Sequence, residues 1–369
     1  MSDTASSAQG AHEQETVAAA VRELIGSVRQ AEPLRVGALT LIPLLPTPER
    51  AARQTGYLPL EEALRRKLVA ITEQAQASVP ELLAVSTADA PVVLVGGEQV
   101  IGGLQNRVLN TTILLAPHVE LQIPVTCVEV GRWHDEPDTF EEDTAADPAG
   151  SAPTRPMRRG FTSDEAAYAK LRQMHAKTVT QSLAVGDGHR ADQGAVWGEV
   201  SSRISAARLL APSGAMQALY KAPERARRLK ETVEALKRPD GALGFVALLN
   251  GVALGAELFA DEALAGAYWD KLARSYAVEA LDEDGRATTE KQGAGGGEAR
   301  LLEDALAAGI QVHPSPGLGV DARLVSASVS GAGLVHEGVA VHLSLFPEDP
   351  SDDKGPQRPR RRTGAIGPR

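Results

Sequence analysis

Short apolar runs dominate the chain between positions 34 and 130 and predict a β-rich region. Proline and glycine separate the runs, which cover 34–45, 68–72, 81–85, 92–95, 107–115 and 119–130. Short runs of β-branched and apolar residues bounded by turn residues are typical of strands. A helix is predicted at 59–68, because acidic residues stand in its first turn and basic residues in its last, as the helix dipole favours.

Helical periodicity replaces this pattern in the second half of the chain. Asp192 and Asp261 each precede a segment in which apolar residues recur three and four positions apart, so both are predicted to cap a helix. The predicted helices cover 16–30, 163–183, 192–209 and 261–281, with shorter ones after Ser213 and Pro223, and closing strands cover 320–329 and 334–346.

The most apolar window, 242–260, predicts a β-hairpin rather than a membrane span. Asn250, Gly251 and Glu257 interrupt it, and a bilayer crossing requires a long uninterrupted apolar helix. Asn250-Gly251 is the dipeptide that best tolerates the positive φ angles of a type I′ turn. No membrane association is therefore predicted.

Together these patterns predict an α+β fold. A mainly antiparallel, β-rich N-terminal lobe packs against a helical segment, which is followed by a C-terminal hairpin, helix and strands. Helices do not alternate regularly with strands, which disfavours a doubly wound parallel sheet. The predicted divisions are an N-terminal tail with a short helix (1–33), the β-rich lobe (34–134), an acidic, proline-containing linker or loop (135–160), a helical plus C-terminal αβ lobe (161–346), and a disordered tail that is basic at its end (347–369).

Charge and cysteine content narrow the functional classes. The chain has 48 acidic and 38 basic residues and a net charge of −10, which argues against nucleic-acid binding except through the basic tail. The single cysteine, Cys127, excludes a disulfide framework and a CxxC redox pair. The N-terminal residues lack a basic segment followed by an apolar one. A cytoplasmic protein is predicted.

Common catalytic motifs are absent from the sequence. It contains neither a GxxxxGK[ST] phosphate loop nor an HExxH metal motif. His336 and His342 share one face of a predicted strand, but no third ligand is evident nearby, so they are interpreted as core or surface histidines. No metal site is predicted, and no cofactor is assigned.

One polar motif stands out where the strands 107–115 and 119–130 are predicted to pair. In a hairpin whose paired residue numbers add up to about 235, Glu129 lies within one position of Arg107. Glycines just upstream allow a close approach of the backbone. The candidate site residues of this region are Glu98, Gln105, Asn106, Arg107, Asn110, Glu129, Arg132, Trp133 and His134.

Two interpretations of this cluster stay open. As a ligand site, Arg107 holds a phosphate or carboxylate, Trp133 stacks on a ring, Glu98 or Glu129 acts as general base, and His134 transfers protons. As a buried polar network, the same residues satisfy one another, with Arg107 paired to Glu129, because buried charges require partners.

The same motif resembles a bacterial and archaeal domain family named for its genomic association with ADP-ribosylglycohydrolases and rhodanese-like phosphatases. The resemblance extends over about residues 34–281. Gln99 and Leu104 depart from the family pattern, where an acidic residue and a lysine are common. The residues that carry the resemblance are Gly97-Glu98, the segment Gln105-Asn106-Arg107-Val108-Leu109-Asn110-Thr111-Thr112-Ile113-Leu114, Ile123-Pro124-Val125, and Val128-Glu129-Val130-Gly131-Arg132-Trp133-His134, supported by 57–64, 79–83, 192–197, 213–215 and 274–277.

The resemblance implies an ADP-ribose, NAD or phosphoester context. It leads to one hypothesis of an enzyme or ligand-binding protein for an ADP-ribose-like molecule or another phosphorylated nucleotide. The alternative is a non-catalytic scaffold that binds a partner enzyme, in which the polar cluster is structural. Function must be argued from the site, because one fold serves many functions.

Overall fold

The computed structural model describes residues 2–73, 80–103, 105–129, 161–283 and 297–348. Its helices are α1 Ser2–Gly26, α2 Leu60–Arg65, α3 Ala169–Ala184, α4 Gln193–Ala206, α5 Ala218–Lys221, α6 Pro223–Ala235, α7 Glu262–Glu283 and α8 Gly297–Ala307. Its strands are β1 Val28–Gln30, β2 Leu34–Val36, β3 Leu39–Pro46, β4 Leu58–Pro59, β5 Val69–Thr72, β6 Glu81–Ser86, β7 Val92–Leu94, β8 Glu98–Ile101, β9 Arg107–Leu109, β10 Ile113–Leu115, β11 Glu120–Cys127, β12 Thr162–Ala166, β13 Gly244–Leu249, β14 Val252–Phe259, β15 Gly309–Pro314, β16 Val320–Val325, β17 Val329–His336 and β18 Val339–Pro347. The predicted α+β class is confirmed.

A nine-stranded sheet forms the centre of the fold. Its order is β1-β3-β13-β14-β18-β17-β16-β15, with β2 paired to β3. Apolar side chains on one face of this large sheet pack against α1 and α8, and those on the other face pack against the central helices α3 to α7. Both faces are therefore covered, as the burial of nearly every residue of β18 requires.

Two smaller sheets enclose a separate core. One has the order β10-β7-β4 and the other β12-β8-β9-β11-β6-β5. Many of their apolar residues form one buried cluster with Leu60 and Ala63 of α2, whereas Val93, Val108 and Leu114 belong to the core around α3 to α7. The pairing of β4 with β7 is parallel, whereas the other strand pairs in these two sheets are antiparallel.

The helix α7 joins these two parts. Trp269 and Tyr276 pack edge to face on Phe245 of the large sheet. Tyr268 donates a hydrogen bond of 2.7 Å to the carbonyl oxygen of Val93 in β7. The helix begins where predicted, because Asp261 accepts a hydrogen bond from the N–H of Leu264 as an N-terminal cap.

The predicted hairpin is also confirmed. Strands β13 and β14 pair in an antiparallel arrangement on either side of Asn250-Gly251. The φ angles of these two residues are +49° and +79°, in the left-handed region that a type I′ turn requires. Among the described residues, no helix combines the length and apolar character that a bilayer crossing demands.

Several elements differ from the sequence prediction because tertiary pairing overrides local preference. Residues 162–166, near the predicted start of a helix, form β12 and pair with β8. Strand β3, assigned by prediction to the N-terminal lobe, pairs with β13 in the large sheet. The N-terminal helix begins earlier than predicted and ends at Gly26, so residues 28–30 form β1 instead of the end of the helix, and the sequence predicts neither α8 nor β15. The predicted linker at 135–160 and all but the first two residues of the predicted tail lie outside the described residues.

The start of β13 leaves no room for a side chain. A Cβ on Gly244 would lie 1.8 Å from the carbonyl oxygen of Glu257 on the neighbouring strand. We expect Gly244→Ala to lower the free energy of unfolding by about 2–4 kcal/mol, because rigid backbone must move. Gly198→Ala is the matched control, since a Cβ there meets nothing within 4 Å on α4 and should stabilise by up to about 1 kcal/mol. Denaturant midpoints measure both, and equal effects would contradict the expectation.

Candidate functional site

The predicted pairing of 107–115 with 119–130 is confirmed only at the end far from their connection, because residues 120–124 pair with β6 instead. Arg107 of β9 lies opposite Cys127 of β11, and Leu109 lies opposite Val125, one residue from the predicted register. Residues 113–115 form β10, which pairs with β7 in the other small sheet. The chain therefore leaves one sheet and enters another across Asn110, Thr111 and Thr112.

Arg107 pairs with a carboxylate that sequence reasoning did not consider. Its Nη2 lies 3.2 Å from Oε2 of Glu73, and both side chains are buried. Glu73 follows β5, which is not part of the hairpin. The hydrophobic pattern of the hairpin strands cannot indicate Glu73 as a partner of Arg107, because Glu73 lies in a different part of the chain. Glu129, the predicted partner, instead accepts a hydrogen bond of 3.2 Å from the N–H of Asn106.

Gln105 and Asn106 are bonded within the protein as well. The side-chain amide of Gln105 donates to the carbonyl oxygen of Glu129 at 3.0 Å and accepts from the Cys127 thiol at 2.9 Å. The side-chain oxygen of Asn106 accepts a hydrogen bond from the N–H of Gly102. This geometry matches the buried polar network that was one of the two interpretations of the motif.

Glu98 contacts α7 and β12. Its carboxylate accepts hydrogen bonds from Lys271 Nζ at 2.8 Å, Ser163 Oγ at 3.0 Å and the N–H of Val95 at 2.7 Å. Burial opposes the ammonium charge of Lys271, yet the nearby carboxylates of Glu98 and Glu61 raise its pKa. The buried Glu98 carboxylate, which accepts these three hydrogen bonds, therefore links α7 to β8. Arg132, Trp133 and His134 lie outside the described residues, so their roles stay predictions.

A second polar cluster lies between the small sheets and the large sheet, around a cavity of about 30 Å³ that we call the inter-sheet cavity. Asn110, the one sequence-predicted residue that lines it, accepts a hydrogen bond from Thr126 and donates one to the carbonyl oxygen of His189. The loops before β8 and after β9, helix α3 and strands β16 to β18 form the cavity wall. The lining residues are Gly96, Gly97, Leu109, Asn110, Thr111, Thr112, Arg172, His175, Ala176, Arg323, Ala332, Ser344 and Phe346.

A buried ion pair forms one side of this cavity. Arg172 Nη2 donates a short hydrogen bond to Glu257 of β14, and neither side chain is more than 3% exposed. Tyr276 and Ser344 donate to the same carboxylate, each at 2.8 Å. Although burial favours the neutral acid, the Arg172 guanidinium and the hydrogen bond from His342 lower the pKa of Glu257 to about 2. Glu257 is therefore ionised at neutral pH.

Another buried ion pair, between Arg323 and Asp321, contributes Arg323 to the cavity lining. Arg323 and Asp321 alternate along β16 and share one face, and Arg323 Nη2 lies 2.7 Å from Asp321 Oδ2. Thr111 donates to the same oxygen at 2.6 Å and accepts from Arg323 at 3.0 Å. Burial would raise the pKa of Asp321, but the Arg323 guanidinium and the hydrogen bond from His189 lower it.

Several side-chain nitrogens of the described part of this cluster have no hydrogen-bond partner. Within the part of the chain that the structure describes, Nε and Nη1 of Arg172, Nη1 of Arg323 and both ring nitrogens of His175 have no hydrogen-bond partner. His175 is 3% exposed, and burial lowers its pKa to about 4. Unpartnered buried polar groups are rare and costly, so this wall of the cavity is suited to a ligand rich in acceptor oxygens. The described residues contain no group of three or more His, Cys, Asp or Glu that could hold a metal ion.

Sequence reasoning missed this cluster, although a signal was present. Glu257 and Arg323 interrupt apolar strands, and Arg172 and His175 stand three residues apart on the apolar face of α3. A charged residue in a strand that is otherwise apolar needs a buried partner. The sequence contains this anomaly, but it does not show which residues meet.

His175 provides a pH-dependent test of this burial. Its folded-state pKa of about 4 is below the ordinary 6.5, so the unfolded chain binds the proton more strongly. The resulting stability is fully present above about pH 6.5 and is lost as the pH falls towards 4. Between pH 6.5 and 4.5, protonation of His175 in the unfolded chain should lower the unfolding free energy of the unmutated protein by up to about 1.4 kcal/mol per pH unit. We expect His175→Gln to remove this contribution to the slope.

Denaturant unfolding at a series of pH values measures this slope. The range from pH 8 to 9 is the internal control, because His175 is neutral there in both states and the two curves should run parallel. Curves that stay parallel down to pH 4.5 would show that His175 is not buried as described.

The Arg107 pair gives a second test, which separates the two interpretations of the hairpin motif. In a structural network, Arg107→Ala leaves the buried Glu73 carboxylate without this cation and should lower stability by about 3–5 kcal/mol. The double variant Arg107→Met with Glu73→Gln removes both charges and should recover part of the loss. Normal stability in Arg107→Ala, combined with loss of ligand binding, would instead favour direct ligand contact. Chemical denaturation and calorimetry provide these measurements.

Comparison with known proteins identifies the family of this chain. A family model described as ARG and Rhodanese-Phosphatase-superfamily-associated Protein domain matches residues 27–346. No curated protein and no solved structure matches the chain. The matched region starts next to β1 and ends within β18, so it includes all three sheets and both polar clusters. The chain therefore belongs to the family of ARG and Rhodanese-Phosphatase-superfamily-associated Protein domains.

Proposed function

We propose that this protein binds a phosphorylated small molecule of the nucleotide and ADP-ribose-like class, with a terminal phosphoryl group in the inter-sheet cavity. The observation that carries this proposal is that Arg172, Arg323 and His175, which all line this one cavity, have side-chain nitrogens without a hydrogen-bond partner among the described residues. Guanidinium groups are donors only, and phosphate oxygens are acceptors that match their planar geometry.

The size of the cavity supports a small oxyanion rather than a whole nucleotide. A volume of about 30 Å³ exceeds what a single water needs, yet it is far below a pocket that encloses a drug-sized ligand. We expect such a cavity to take only a terminal phosphoryl group, with the rest of the nucleotide outside, so it favours nucleotides with a terminal phosphate over ADP-ribose and NAD, whose phosphates are internal. Gly97 helps to form this space, because a Cβ there would lie 2.5 Å from Cδ of Arg172. Its φ of +90° also favours glycine.

The hairpin motif serves the proposed site by positioning the loop that follows it. Gln105, Asn106 and Arg107 fix the start of β9, and the chain then passes directly into Asn110, Thr111 and Thr112 at the cavity. The catalytic roles predicted for Glu98, Glu129 and His134, and the ligand contacts predicted for Arg132 and Trp133, stay predictions. The cytoplasmic location predicted from the sequence likewise stays a prediction.

The competing hypothesis is a non-catalytic scaffold that binds a partner enzyme. The family description names an association with ARG and the rhodanese-phosphatase superfamily, which supports a partner. The internally bonded Gln105-Asn106-Arg107 network is compatible with such a protein. The two hypotheses differ in whether the unpartnered donors of the inter-sheet cavity meet a small ligand.

Ligand-induced thermal stabilisation tests the proposal. ADP-ribose, NAD, AMP and inorganic phosphate are added to the full chain, and a ligand at 100 times its Kd should stabilise the folded state by about 2.7 kcal/mol. Arg323→Lys keeps a cation for Asp321 but removes the guanidinium fork, so we expect it to weaken the affinity at least about tenfold. Arg65→Lys is the control, because the same change is made on the exposed surface of α2.

Two outcomes would overturn the proposal. The first is that none of these compounds stabilises the unmutated protein, which would favour the scaffold hypothesis. The second is equal loss of affinity in both lysine variants, because that result would assign binding to general surface charge.

A further inference from the structure

A threonine, a histidine and a glutamate are linked in series at the edge of the inter-sheet cavity. Thr112 Oγ1 lies 2.9 Å from Nδ1 of His342, and Nε2 of His342 lies 3.2 Å from Oε2 of Glu257. All three residues are buried. They come from three separate segments, namely the loop before β10, strand β18 and strand β14. Of the three, Thr112 lines the cavity.

The charge of Glu257 fixes the direction of the hydrogen bond to His342. An ionised carboxylate only accepts, so Nε2 of His342 carries a proton and donates this hydrogen bond to Glu257. In the neutral form of His342 this is the single ring proton, so Nδ1 is an acceptor and the hydroxyl of Thr112 donates to it. The remaining lone pairs of Thr112 Oγ1 accept a hydrogen bond from the N–H of Gly96 at 3.0 Å.

This arrangement has the parts of an activated nucleophile. A hydroxyl donates to an imidazole that can take its proton, and a carboxylate orients the imidazole and stabilises its charged form. Arg172, which pairs with the same carboxylate, lines the cavity beside Thr112. A base, a hydroxyl and free guanidinium donors therefore meet at one small space.

We propose that Thr112 is the nucleophile of a phosphomonoester hydrolase activity, with His342 as its base and Glu257 as the residue that positions His342. This inference rests on the proposed binding of a phosphoryl group in the inter-sheet cavity. The cavity admits a terminal phosphoryl group, so the substrates are phosphomonoesters rather than molecules whose phosphates are internal. Arg172 and Arg323 bind the non-bridging oxygens through their free N–H groups.

In the first step, Thr112 Oγ1 attacks the phosphorus of a phosphomonoester monoanion. The bond from Oγ1 to phosphorus forms as the bond from phosphorus to the alcohol oxygen breaks. The Thr112 proton moves to Nδ1 of His342, and the departing alcohol keeps the proton that the phosphoryl group carried. The products are a phosphothreonine dianion, an imidazolium and the free alcohol.

In the second step, water attacks the same phosphorus and the bond to Oγ1 breaks. The imidazolium of His342 returns its proton to Oγ1, and both protons of the water remain on the phosphate, which leaves as the monoanion. His342 thus serves only the threonine oxygen in both steps, as its 2.9 Å contact allows. Glu257 stabilises the imidazolium between the steps.

Hydrolysis of p-nitrophenyl phosphate by the full chain tests this inference. Thr112→Val keeps the shape of the side chain without its hydroxyl, and we expect nitrophenolate release to fall at least about 100-fold. Thr112→Ser keeps the hydroxyl and should retain turnover. Phosphate-induced stabilisation, measured on each variant, should be similar in Thr112→Val and the unmutated protein.

Acid quenching of the unmutated protein during turnover gives a readout that does not depend on any variant folding. Peptide mass spectrometry should find one added phosphoryl group on Thr112 and none on Thr111. Phosphate binding without hydrolysis, or a phosphoryl group on another residue, would overturn the hydrolase inference and leave the proposed binding function intact. Absence of both binding and hydrolysis would overturn the two together.

Discussion

The buried ion pair between Arg172 and Glu257 is the interaction on which the centre of this structure depends. It joins helix α3 to the large sheet where the loops of the small sheets also meet it. Two buried charges tolerate this position only because each has a partner and further hydrogen bonds. Gly97 lets the Arg172 side chain pass close to the loop before β8. Three parts of the fold therefore meet at one pair of charges.

The same pair also determines the chemistry beside it. Glu257 stays ionised because Arg172 and its other donors outweigh the effect of burial on its pKa. An ionised Glu257 accepts a hydrogen bond from Nε2 of His342, and in the neutral form of this ring Nδ1 accepts a hydrogen bond from Thr112. The same ion pair therefore makes the burial of two charges possible and keeps an ionised carboxylate next to His342. Among the described residues Arg172 has N–H groups without a hydrogen-bond partner, because a single carboxylate cannot engage its whole guanidinium.

Local patterns in the sequence predicted local features of the fold. Asn250-Gly251 indicated its hairpin, Asp192 and Asp261 indicated helix starts, and the motif around Arg107 indicated a strand pair and the correct family. Each depends on residues close together in sequence or on a recognisable motif. The position of β3 beside β13, the contact of Arg107 with Glu73, and the inter-sheet cavity depend on long-range pairing, which periodicity does not encode.

The order of strands in the large sheet has a consequence for folding during synthesis. Leu39 pairs with Leu249, and β14 pairs with β18, which lies near the end of the matched family region. Strand β3 therefore has no neighbour on that side until two hundred further residues have been made. Sheets with such distant partners fold slowly and leave strand edges exposed in the meantime. Completion of the sheet also brings Ser344 and Phe346 to the cavity, so the site forms only when nearly the whole matched region has folded.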